Sequence, residues 1–73
     1  MTARLGDQVT VIRGGGRNRY PVEAVVELFA IVVFQGGPAS AAVVRVTESA
    51  GLYREGNLFV ARASELEPAR VTS

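Results

Sequence analysis

The chain contains no cysteine, no histidine and no lysine. Without cysteine there is no disulfide and no thiolate metal site. Without histidine the commonest zinc ligand and the commonest general base are both missing. Without lysine the phosphate-cradling GxxxxGK[ST] loop is excluded. A membrane-spanning helix is excluded as well. The longest apolar run, Val22 to Phe34, covers 13 residues and carries Glu23 and Glu27, whereas a span needs about 20 mainly apolar residues. The opening "MTARLGDQV" has no apolar segment of the signal-peptide kind. Secreted domains of this size usually carry disulfides, so the expectation is a cytoplasmic protein.

What is present is a small globular composition: 73 residues, 48% hydrophobic and 21% charged. That length supports one domain around one core. The net charge of +1 is unevenly spread. Residues 1–20 hold Arg4, Arg13, Arg17 and Arg19 against Asp7 (4 − 1 = +3), and residues 21–73 hold four arginines against six glutamates (4 − 6 = −2). The exclusive use of arginine fits GC-rich coding, and it also fits a planar, bidentate grip on phosphate or carboxylate.

The run 21–34 decides the fold. A helix would place Pro21 at its first position and Glu23 and Glu27 on one face. Against that, Val22, Val25, Val26, Ile31, Val32 and Val33 are β-branched and favour extended backbone. Period two also fits, since Val22, Ala24, Val26, Leu28, Ala30, Val32 and Phe34 are all apolar. The pattern predicts one long strand or two merged ones, with both glutamates in water. Further strands are predicted at Gln8–Arg13, Ala41–Thr47 and Leu58–Arg62. They are separated by the glycine-rich "GGG", by a turn in "QGGPAS" at 35–40, and by the loop 48–57. "ASELEP" reads as a single helical turn capped by Ser64 and ended by Pro68, and "ARVT" at 69–72 as a short closing strand. The expected fold class is therefore all-β: a small five-stranded barrel, closed or half open, with a one-turn helix before the last strand.

Three segments carry a resemblance to a known architecture. "LGDQVTVIRG" resembles the opening "GDxVxV" strand of the SH3-like small barrels, including the KOW-type barrels of ribosomal and transcription proteins. "VEAVVE" is similar to their second strand, and "NLFVARASELEP" to their closing strand, one-turn helix and last strand. The three cover 28 of the 73 residues. The resemblance implies an SH3-like barrel, in which the loops at one end often form the ligand site. The KOW glycine soon after the first strand is replaced here by "GGGRNRYP", and the basic strand residues of that family are missing. Short arginine-rich, lysine-free chains of this kind also resemble proteins of actinobacteria and of their phages and plasmids.

Two groups of residues are candidates for function. In "RGGGRNR", Arg13, Arg17 and Arg19 flank Gly14, Gly15 and Gly16, whose backbone N–H groups an anion can approach closely. That reading is nucleic-acid backbone contact, with Tyr20 or Tyr53 as a stacking surface. The competing reading is a soluble hairpin loop. The second group is Phe29, Ile31 and Val33. If the even positions of the long strand face the core, these three form an outward apolar row, which suggests an interface. The competing reading is a bulge near Leu28–Ala30 that turns them inward. Tyr53, on the loop 48–57, is a candidate aromatic anchor for a partner.

A catalytic role for Glu23 and Glu27 is disfavoured. On a strand they stand roughly 13 Å apart, beyond the separation that paired-carboxylate glycoside hydrolysis uses. No nucleophile–base pair, metal-ligand set or cofactor motif is present. The expectation is a non-enzyme without cofactor: a binding module whose partner is another protein or a second copy of itself, with nucleic acid as the alternative.

Overall fold

The computed structural model describes residues 3–68, and within them the chain is all-β. The order is β1 (Gln8–Arg13), β2 (Tyr20–Phe34), β3 (Gly37–Val46), β4 (Leu58–Arg62), a 3₁₀ turn at Ala63–Glu65, and β5 (Leu66–Pro68). All five strands form one antiparallel sheet in the order β4-β3-β2-β1-β5. Among the described residues β4 and β5, the two ends of that order, do not pair with each other. The sheet stays open there, and the 3₁₀ turn connects the two strands along the chain. No helix is long and apolar enough to cross a membrane among the described residues.

β1 and β4 occupy the predicted ranges, and the run 21–34 is strand throughout. Pro21 therefore does not start a helix. Glu23, two residues on, receives the β3-side bond from the Thr47 N–H at 2.9 Å, so by strand alternation the nitrogen of Pro21 points to the same side, beyond the end of the β2–β3 ladder. The predicted turn at 35–40 shrinks to Gln35–Gly36, because β3 already begins at Gly37. Gly37 takes φ 111°, which favours glycine and lets the chain reverse within two residues. Pro38 is tolerated because β4 pairs with β3 only from Ala41 onward.

The helical turn also differs from expectation. Ser64 lies inside it and does not cap it; the Arg62 N–H donates to Glu65 Oε1 at 2.8 Å. Pro68 ends a strand and not a helix. The closing strand predicted at 69–72 lies outside the described residues.

The core consists of small side chains. Val9, Val11, Ala24, Val26, Ala42, Val44 and Ala61 form one buried cluster, with Phe59 and Leu66 packed partly against it. Valine is the largest side chain fully buried. Leu5, Leu28, Phe29, Ile31, Leu52 and Leu58 are all exposed. A domain of this size is marginal on its core alone, and a core of valine and alanine leaves most of its large apolar side chains unburied.

Candidate functional site

The first candidate region begins where β1 ends. The connection 14–19 reverses the chain from Arg13 into Tyr20, which pair with each other. Gly14 sits at φ 89°, and a Cβ there would stand 2.1 Å from the Asn18 carbonyl oxygen, so only glycine closes this turn. Gly51, at φ 56°, leaves room for the ring of Tyr20, since a Cβ there would meet it at 2.3 Å. Tyr20 lies 6.4 Å from Tyr53, and Tyr53 lies 4.8 Å from Phe59, in both cases with tilted rings. The arginine–glycine connection and the loop 47–57 thus meet at one end of the sheet. They enclose a polar cleft lined in part by Arg13, Gly14–Gly16, Arg19 and Tyr53.

The three arginines of the segment are not equivalent. The Arg13 guanidinium stacks 4.8 Å from the Phe59 ring centre, its Nη2 donates to the Val60 carbonyl at 2.9 Å, and its Nη1 lies 3.6 Å from Glu65. It ties β1 to β4 and the 3₁₀ turn and is largely occupied by the fold. Arg17 and Arg19 are exposed. Sequence reasoning named all three guanidiniums but gave no sign of the internal role of Arg13, whose partners lie 46 or more residues away.

The two glutamates of β2 are engaged rather than simply hydrated. The buried Thr10 hydroxyl donates to Glu23 at 2.9 Å across the β1–β2 pair. Glu27 pairs with Arg45 Nε at 2.6 Å on the surface. Among the described residues no three of His, Cys, Asp or Glu are grouped to hold a metal ion.

The second candidate region is the far half of β2. The register with β3 slips between Val26 and Leu28, leaving Glu27 as one extra residue. Before the slip, Ala24 and Val26 oppose the buried Val46 and Val44. After it, Phe29, Ile31 and Val33 oppose Ala42, Ser40 and Pro38. Cross-strand partners share a face, so the bulge swings this row onto the face that carries the core. The row nevertheless remains in water: Ile31 is 71% and Val33 79% exposed. The sheet has simply run past the elements that cover it, because β1 pairs with β2 only up to Val25 and β4 with β3 only from Ala41.

Phe29 is the link back to the body. It borders two adjoining grooves that share Ala3 and Ala63, one reaching Val9 and Leu66 and the other reaching Ile31 and Ser40. On the opposite face Leu28, Val43 and Val60 stand in a cross-strand row, with Leu28 46% and Val60 43% exposed. The sequence did not single out this second row, although its alternation with the core positions of β3 was visible. Farther along, the Arg62 guanidinium covers Phe34 at 4.4 Å.

Comparisons with models of protein families, with curated proteins and with solved structures give no match.

Proposed function

We propose that the protein is a non-catalytic binding module with an SH3-like barrel plan, and that it works within an assembly by protein–protein contact, with a second copy of itself as the first partner. The strand order β4-β3-β2-β1-β5 and the 3₁₀ turn joining the two outermost strands support the SH3-like reading. The observation that carries the functional reading is the far half of β2. Residues Leu28–Phe34 have no charged side chain, project beyond the covered sheet and keep Phe29, Ile31 and Val33 in water. Monomers seldom expose such a surface. A cytoplasmic setting fits the absence of cysteine.

The test is light scattering at micromolar concentration on the wild type and on Ile31→Glu, each checked for β structure by circular dichroism. The expected result is an oligomer that becomes a folded monomer on substitution. A monomeric wild type would contradict self-association.

A second reading, nucleic-acid binding, is favoured by one observation. Arg19, the three glycines and Tyr53 line the same cleft, with Arg17 exposed on the same connection. It requires binding that weakens steeply with salt and that drops in Arg17→Ala plus Arg19→Ala. The log–log salt slope should then fall by about one for each phosphate no longer neutralised.

A further inference from the structure

We propose that the outer edge of β2 from Leu28 to Phe34 pairs antiparallel with the same edge of a second copy, about a two-fold axis through Ile31, so that two sheets join into one. This rests on the self-association reading above and specifies how the two copies meet.

The direction of the backbone groups follows from two independent sets of hydrogen bonds. On β3, the Val46 N–H donates to the Asn57 carbonyl and the Val46 carbonyl accepts from the Gly56 N–H, both at 2.8 Å toward the β4 side. Alternation then directs the backbone of Ala42 and Val44 to β4, and that of Ala39, Ala41 and Val43 to β2. Their β2 partners Val32, Ala30 and Leu28 bond to β3, which leaves Phe29, Ile31 and Val33 with N–H and C=O pointing away from it. On β2, the Val26 N–H donates to the Asp7 carbonyl at 3.0 Å and its carbonyl accepts from the Gly6 N–H at 2.8 Å, on the side away from β3. One extra residue at Glu27 shifts that parity from even to odd and again selects Phe29, Ile31 and Val33. Among the described residues nothing pairs with this edge beyond Val26.

Exposed sheet edges are normally guarded by charge, proline, a bulge or a covering segment. The bulge at Glu27 lies before this stretch, and Leu28–Phe34 contains no charge and no proline. The stretch is also self-complementary. A two-fold axis at Ile31 sets Ile31 against Ile31, Phe29 against Val33, Ala30 against Val32 and Leu28 against Phe34. It sets Glu27 against the neutral Gln35. The three outward residues then fall into pairs that exchange both backbone hydrogen bonds. Parallel, in-register pairing would stack Glu27 on Glu27. Any other antiparallel centre shortens the all-apolar overlap. A two-fold contact uses one surface twice and closes on itself, as this register does.

The chain has no cysteine, so a single introduced cysteine reports one position. In the proposed register, two copies of Ile31→Cys have Cα atoms about 5.5 Å apart, within disulfide reach. Two copies of Phe29→Cys stand roughly 14 Å apart, out of reach. Mild oxidation at micromolar concentration should therefore link Ile31→Cys at least about ten-fold faster than Phe29→Cys. Equal rates, or faster linkage of Phe29→Cys, would overturn this register. Ile31→Pro removes an outward N–H and no internal hydrogen bond, and should yield a folded monomer. If Ile31→Pro stays as oligomeric as the wild type, edge pairing is overturned while self-association stands. A wild type that is monomeric by light scattering overturns both.

Discussion

β2 is one strand with two halves that behave as different materials. Tyr20–Val26 is flanked by β1 and approached by β3, and its Val22, Ala24 and Val26 are fully buried. Leu28–Phe34 is at least as apolar, yet it holds Ile31 and Val33 in water. The side chains do not account for the difference. It comes from where the neighbouring strands stop and from one extra residue at Glu27, which changes the parity of everything after it. Apolar content alone does not place a strand in a core; a covering layer does.

Placing the same charge in each half breaks the comparison most severely. Val26→Asp buries a carboxylate with no partner, and should unfold a domain whose whole stability is on the order of 5–15 kcal/mol. Ile31→Asp should keep the β spectrum, and circular dichroism of the pair in dilute solution reads the contrast.

Truncation probes the same contrast more gently. Val44→Ala removes two buried methyl groups and leaves a cavity, so urea unfolding should show a loss of about 2 kcal/mol. Val33→Ala should stay within about 0.5 kcal/mol when measured below the concentration of self-association.

The paired half also depends on the turn that feeds it. Gly14→Ala meets the Asn18 carbonyl at a left-handed φ and should cost about 1–3 kcal/mol. Gly15→Ala meets nothing within 4 Å and should be nearly silent in the same thermal unfolding experiment.

A small effect is expected at the joint between the halves. Arg45→Ala breaks the exposed pair with Glu27 and should shift stability by no more than about 0.5 kcal/mol, less at high salt. A larger loss would mean that the ion pair, and not the loss of neighbours, sets the bulge.

The strands were legible in the sequence wherever polar residues mark the alternation or glycines mark the ends, as in Gln8–Arg13 and Leu58–Arg62. A bulge near Leu28–Ala30 was one of two readings the sequence left open. From Leu28 to Phe34 both parities are apolar, so the pattern does not decide between a one-residue slip and an unbroken strand. The extension of β3 back to Gly37 was hidden by Gly37 and Pro38, which signal a turn but are tolerated where β4 does not reach. The arginines, glycines and tyrosine of the polar cleft were all named from the sequence. Their convergence, and the engagement of Arg13 with Phe59, Val60 and Glu65, depend on pairings between segments far apart in the chain.

The most direct measurement of the central claim, that the far half of β2 is a strand lacking its second neighbour, is residue-resolved amide hydrogen exchange across a dilution series. In dilute solution the account predicts alternation, with Leu28, Ala30 and Val32 protected by β3 and Phe29, Ile31 and Val33 exchanging freely. At high concentration the second set should become protected as copies pair. Protection of Phe29, Ile31 and Val33 in dilute solution would contradict the missing neighbour, and free exchange of the three at every concentration would contradict the pairing of copies.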